Sequence, residues 1–326
     1  MMKVMKEKKE FFILGGIVVF LGALIIVLNA NQGVHFKIPA LKKIEKKAIV
    51  KVELKQPDNS LTLLRESGRW YVGPKKYAAD PDAVNDILKN IVELEPTDLV
   101  SKAKGYFRFK LDPTERIAVK AYNEDGDALR HFYVGKAASS YQHTFIRLGD
   151  DAKGYVYTAR GNFRTDFDKS VADLRDNVIF RVGDPKKVQS VTVRQGGRKL
   201  VMNAVQEKKA PETAGDGEKQ TVTPETVTVW KNSGGKKLKK SKITGLLDRI
   251  KKLKCKSFFP DDQKPSGKPI YTVVVNDGKP STLMIYAKKK DDDHYPAASS
   301  QTAYAFKIAK STAEKIMEKP ADFLSE

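Results

Sequence analysis

The stretch "IVKVELKQPDNSLTLLRESGRWYV", Ile49 to Val72, decides the fold class. Apolar and polar residues alternate along two runs, the period of strands that bury one face. Pro57-Asp58-Asn59 supplies the turn between them, and a short third strand forms around Trp70. The pattern recurs downstream. "VQSVTVRQGGRKLVMNAV", Val188 to Val205, is a second hairpin with Gly196-Gly197 in its turn, and its tryptophan arrives later, in "TVTVWK" around Trp230. The intervening "QEKKAPETAGDGEKQTVTPE", Gln206 to Glu225, is polar and broken by Pro and Gly, the composition of a flexible insertion.

Each copy continues with one amphipathic helix. In the first, Asp80 is placed to cap the helix, Pro81 suits its first turn, and Val84, Ile87, Leu88 and Ile91 share a face. In the second, Ser241 precedes Ile243, Leu246, Leu247, Ile250 and Leu253. Such stripes are ordinary core packing. Both copies then return to strands: "RIAVKAYNEDGDALRHFYVG" turns at Asp125-Gly126 and "PIYTVVVNDGKPSTLMIYA" at Asp277-Gly278. "HTFIRL" and "GYVYTA" follow in one copy and "AYAFKI" in the other. Short helices in "TDFDKSVADLRD" and "STAEKIMEKPADFL" close the copies, the second with Ser311 and Glu314 at capping-box spacing. The prediction is an α+β fold in two repeated units, 48–180 and 181–326, each of antiparallel β-hairpins covered by short helices.

Ahead of these units, "FFILGGIVVFLGALIIVL", Phe11 to Leu28, carries no charge. A helix of this length, at about 1.5 Å per residue, approaches the roughly 30 Å hydrocarbon thickness of a bilayer. The expectation is a single transmembrane helix over 11–30, a cytoplasmic tail 1–10 and a basic stalk 31–47. Lys3, Lys6, Lys8 and Lys9 flank the apolar run and hold the tail inside. The bulk of the chain then faces the periplasm from the bacterial cytoplasmic (inner) membrane, with the lipid bilayer as its first partner.

Lys and Arg number 60 against 40 Asp and Glu, a formal net charge of +20, which favours an anionic partner. No zinc-finger spacing, RNP-like aromatic stretch or helix-turn-helix accompanies the charge, so nucleic acid is not expected. The sharpest basic run is "GGKKLKKSK", where Lys236, Lys237, Lys239, Lys240 and Lys242 precede a helix start whose exposed amides also favour anions. A phosphate or lipid-headgroup contact and a solvated loop both fit it. Cys255 is alone, which excludes an intramolecular disulfide and reads as a buried thiol. His35, His131, His143 and His294 lie far apart, without metal-ligand spacing, although His131 and His143 sit on strands that can neighbour each other. Asp291, Asp292 and Asp293 beside His294 form a loop without the turn glycine of a hard-cation site, and Glu124, Asp125 and Asp127 belong to a hairpin turn. There is no Gly-x-Ser-x-Gly elbow and no phosphate-cradling glycine motif. No enzyme, cofactor or metal site is expected.

The "LTLLRESGRWYV" hairpin, the "YAADPDAVNDILKNIVEL" helix, "YFRFKLDP", the "YVG" and "YVYTA" hairpin and the "DLRD" helix together resemble bacterial proteins containing the DUF4340 domain of unknown function. In Phe109-Lys110-Leu111-Asp112-Pro113 this chain departs from the family, whose members usually carry glycine in place of Lys110. Trp70, Asp80, Pro81, Leu111, Asp112, Pro113 and Trp230 are expected to be structural. The resemblance implies a membrane-anchored, extracytoplasmic protein, often tied to membrane transport and to auxiliary components of ABC-type transport systems. It brings no catalytic residues. The expected function is an accessory or scaffold protein that binds another envelope or transporter protein; the alternative is a binding module for an anionic lipid or glycan.

Overall fold

The computed structural model describes residues 16–24, 38–208 and 226–325. These divide into two compact units, one running up to Gly68 and resuming over Asp82–Ser170, the other combining Arg69–Pro81 with the chain from Val171 onward. Along the first half come β1 (Lys51–Lys55), β2 (Ser60–Glu66), β3 (Arg69–Val72), β4 (Tyr77–Ala78), β5 (Pro96–Ser101), β6 (Ile117–Tyr122), β7 (Ala128–Ala137), β8 (His143–Leu148) and β9 (Val156–Arg160). The second half adds β10 (Val178–Arg181), β11 (Ser190–Gln195), β12 (Arg198–Lys208), β13 (Thr226–Asn232), β14 (Lys252–Lys254), β15 (Ser257–Phe258), β16 (Tyr271–Asn276), β17 (Pro280–Ile285), β18 (His294–Ser299) and β19 (Phe306–Ala309).

In the first unit the strands run β2-β1-β6-β7-β8-β9-β5, every neighbour antiparallel. Alternation works as the sequence predicts: Val52, Leu54, Ile117, Val119, Phe132, Val134 and Ile146 point to a buried face and their neighbours do not. The helix Pro81–Val92 begins at the expected proline and buries Val84, Ile87, Leu88 and Ile91. The turn Arg164–Phe167 lies on β7, with Phe167 edge-on to Phe132 at 5.7 Å. Each large aliphatic side chain so buried contributes about 1.5–3 kcal/mol.

In the second unit the corresponding order is β12-β11-β16-β17-β18-β19-β15, with β13 added beyond β12. Adding ten to each strand number of the first sheet reproduces this order, so the repeat in the sequence is a repeat of topology. One core joins Val191, Val193, Val273, Val275 and Trp230 from the strands to Ile243, Leu246, Leu247 and Ile250 of the helix Lys240–Ile250. The helix Lys310–Ile316 adds Ala313 and Ile316, and the turn Pro320–Phe323 adds Phe323. The β3-β4 hairpin and the small β10-β14 ladder also belong to this unit.

Three local readings change. The helix Lys240–Ile250 ends before Leu253, the last residue of the expected stripe, which lies instead on β14. Ser311 lies inside the helix Lys310–Ile316, so Ser311 and Glu314 form no capping box. Strand β18 escapes the pattern because Pro296 lacks an N–H and breaks the strand signal, yet its carbonyl accepts the Tyr286 N–H at 2.8 Å.

The predicted transmembrane helix over 11–30 is corrected. The part of it that is described, residues 16–24, is a helix of nine residues or about 13 Å of rise, and among the described residues no helix is long and apolar enough to cross a membrane. Residues 11–15 and 25–30, like Lys3, Lys6, Lys8 and Lys9, lie outside the described residues, as do His35 and most of the insertion 206–225. Gln206, Glu207 and Lys208 of that insertion extend β12. With the span go the expectations built on it: the single-pass inner-membrane location, the periplasmic placement, the bilayer and its anionic headgroups as partners, and the envelope or ABC-transport accessory role with its lipid or glycan alternative.

The segment that departs from the family has a steric explanation. Lys110 follows the 3-10 turn Tyr106–Phe109 in the left-handed region at φ 54° and ψ 42°, where glycine is unstrained. That turn lies directly on β7, so a Cβ at Gly135 would overlap the Phe109 carbonyl and come within 3.1 Å of the Phe145 carbonyl. Lys110→Gly is expected to stabilise the chain by about 0.5–1 kcal/mol, the relieved backbone strain outweighing the loss of the exposed Lys110–Glu115 pair. Gly135→Ala is expected to destabilise by about 1–3 kcal/mol. Denaturant midpoints of the two variants measured side by side check both signs.

Candidate functional site

The half-exposed face of the first sheet collects cations around one tyrosine. Strand register places Lys120 opposite His131 and Tyr133 opposite Arg147, while Arg116 precedes β6. The Arg116 guanidinium carbon lies 4.2 Å from the Tyr133 ring centroid, and that of Arg147 lies 4.9 Å from the same ring and 4.5 Å from Tyr106. Tyr106 is held by its hydroxyl, which donates to the Gly154 carbonyl at 2.9 Å, and its turn is anchored by Phe109 against Phe145 at 4.9 Å. Among the described residues neither arginine forms an ion pair, so stacking rather than acid neutralisation holds both in place.

His131 closes the cluster at one end. Its side chain is 17 % exposed, its Nδ1 lies 3.9 Å from Asp150, and its buried Nε2 has no hydrogen-bond partner. A Cβ at Gly149 would overlap its imidazole, so the ring occupies space that only glycine leaves. Burial holds the His131 pKa below the usual imidazole range, with Lys120, Arg116 and Arg147 pushing the same way and Asp150 opposing them. Glu53, the acid on the adjoining β1, is occupied: Lys51 pairs with it at 2.6 Å and the Tyr122 hydroxyl donates to it at 2.8 Å. Three cationic groups, Arg116, Lys120 and Arg147, therefore share one patch with the neutral His131 and little acid to balance them, an arrangement that attracts oxyanions.

A second constellation, within the second unit, is structural. Arg175 of the "DLRD" segment stacks on Phe258 at 3.5 Å, Tyr77 at 4.0 Å and Tyr304 at 4.2 Å. The Tyr77 hydroxyl donates to Asp261 at 2.8 Å, and Lys75 pairs with the same carboxylate, which these two partners hold below the usual range. Backbone bonds from Asp80 to Leu174 and from Asp176 to Ala78, each 2.8 Å, fasten β4 beside Arg175. The guanidinium thus fills a cage formed by its own chain.

Two of the expected anion-contact lysines have acidic partners. Lys237 is committed to Glu207 at 3.8 Å and Lys242 to Glu318 at 3.7 Å; Lys236 donates its backbone N–H to Asn232, Lys239 is the helix N-cap and Lys240 the first helical residue. Leu111 and Trp230 are buried, and Asp112 accepts bonds from the Thr114 backbone and hydroxyl in the turn opened by Pro113. Trp70 accepts the Ala79 N–H at 2.9 Å, and Asp80 directly precedes the helix that Pro81 begins. His131 and His143 stand at opposite ends of the β7-β8 pair, His131 bonded to Gly149 and His143 to Ala138. His294 lies beside Asp292 at 3.4 Å. Among the described residues no group of three His, Cys, Asp or Glu could hold a metal. Cys255 is buried and burial pushes its thiol up to about 11, leaving it unreactive near neutrality. Sequence reasoning passed over Arg116, Lys120, Tyr133 and Arg147. The signal was available in the polar half of each alternating strand, but only cross-strand register makes it one patch.

The model of a family described as a domain of unknown function, DUF4340, matches residues 70–270. No curated protein and no solved structure matches the chain.

Because the folded-state pKa of His131 lies below its unfolded value near 6.5, its contribution to stability is present above that value and is lost as pH falls through it. The gap in unfolding free energy between wild type and His131→Gln should therefore narrow from about pH 7.5 to about pH 5.5; a gap that widens on acidification contradicts the assignment. Arg175→Lys should cost about 1–2 kcal/mol, because an ammonium cannot stack flat on three rings. Thermal melts with Arg175→Ala alongside give the comparison.

Proposed function

We propose that this chain, which belongs to the DUF4340 family, is a non-catalytic binding module that holds a small phosphoryl-bearing solute on the half-exposed face of its first sheet. One observation carries the reading: Arg116 and Arg147 converge on Tyr133 with no ion pair to either among the described residues, beside Lys120 and His131. Two stacked guanidinium groups are preorganised, so little side-chain entropy is lost when an oxyanion docks between them. Lys120 adds a point charge, and a neighbouring dianion favours the protonated form of His131, so binding takes up a proton as pH approaches the imidazole range. The role is binding rather than turnover because the patch offers charge and stacking surface, while the one thiol of the chain is buried and protonated.

Titration calorimetry with inorganic pyrophosphate as the probe tests the reading. Saturable binding is expected, weakening steeply as salt rises and strengthening from about pH 8 to about pH 6. Arg116→Gln and Arg147→Gln should each cost roughly tenfold in affinity, the value of one charge-assisted contact. Affinity unchanged in the double variant would reject the site.

A further inference from the structure

Arg130 occupies a position that its strand assigns to the core. Its same-face neighbours on β7, Phe132 and Val134, are fully buried, the residue opposite is Ala121, and Arg130 itself is only 7 % exposed. One of its terminal nitrogens donates to the Lys42 carbonyl at 2.8 Å, while Nε has no partner. Among the described residues no carboxylate pairs with it. A guanidinium withdrawn from water costs several kcal/mol unless an opposite charge compensates, and one neutral carbonyl does not supply that charge.

Arg130 borders an open recess of about 360 Å³, near the lower end of the range for small-molecule sites. Pro39, Leu41, Leu129 and Leu148 give it apolar lining, and His131 also borders it. Two acids also border it, but neither neutralises Arg130. Asp150 is 91 % exposed, and Asp151 accepts the Lys153 and Tyr155 N–H groups at 3.0 and 3.1 Å and the Tyr157 hydroxyl at 3.3 Å.

We infer that this recess binds a small amphiphilic monocarboxylate, its carboxylate compensating Arg130 and its hydrocarbon part lying on Leu129, Leu148, Pro39 and Leu41. One buried guanidinium compensates a single negative charge, and the second charge of a dianion would face Asp150 and Asp151 at the border of the recess. The recess meets the phosphoryl-binding face at His131, but Arg116 and Arg147 do not line it, so loss of octanoate binding in Arg130→Met and loss of pyrophosphate binding in the Arg116 and Arg147 variants are distinguishable outcomes.

Titration of the full chain with octanoate tests the inference, with methyl octanoate as a wild-type control that needs no variant. Saturable octanoate binding is expected, with the ester at least about tenfold weaker. Arg130→Met should lose octanoate binding by a similar factor while folding as stably as wild type in ligand-free buffer, because it replaces an uncompensated buried charge with an apolar chain. Arg130→Lys, which keeps the charge, should retain weaker binding. The inference is overturned if octanoate shows no saturable binding to wild type, if ester and acid bind alike, or if Arg130→Met binds octanoate as wild type does.

Discussion

Each sheet of this protein has one face that must be dry. An antiparallel strand sends successive side chains to opposite faces, so once alternate residues are committed to the core the intervening ones have no choice of direction. On β7 that rule places Phe132 and Val134 inside and His131 and Tyr133 outside, and β6 and β8 follow in register. The cationic patch is therefore a by-product of core formation: Lys120, His131 and Arg147 meet because their buried neighbours do. Arg130 is the exception that the same rule exposes, a charge at an inward-facing position beside a recess.

The segments that carry the family resemblance do structural work. Phe109-Lys110-Leu111 lays backbone directly on Gly135 of the "YVG" strand, which explains why glycine is needed at 135 and is unstrained at 110. Leu111 is fully buried beneath that turn. Arg175 of "DLRD" is enclosed by Tyr77, Phe258 and Tyr304, so its charge is spent on stacking rather than on a ligand. Tyr304 lies beyond the residues that the family matches, and the other members of the cage lie within them. Tyr106 of "YFRFKLDP" and Tyr133 of "YVG" also carry the stacked arginines, so the segments of the resemblance serve the charged face as well as the scaffold.

Much of the fold was legible because it rests on local periodicity. The two helical stripes, the Asp-Gly hairpins and the duplicated order of elements all follow from patterns a few residues long. Where the reading failed, a non-local term intervened. Pro296 spoils the strand signal of β18, yet neighbours on both sides hold the segment in the sheet. Ser311 has capping spacing, but the helix begins one residue earlier, after Ala309. The apolar run from Phe11 has the composition of a span, while its described helix covers only residues 16–24.

Sequence alone determined the repeat, the principal hairpins, the two amphipathic helices and the buried faces, because each of these is written in the spacing of neighbouring residues. Only the tertiary structure decided that Arg69–Pro81 joins the second unit, that Arg175 is caged, that Lys237 and Lys242 meet Glu207 and Glu318, and that Arg116, Lys120, His131 and Arg147 come together. The physical reason is that charge acts through space: residues far apart along the chain become one electrostatic object only after hydrogen-bonded register has set them side by side.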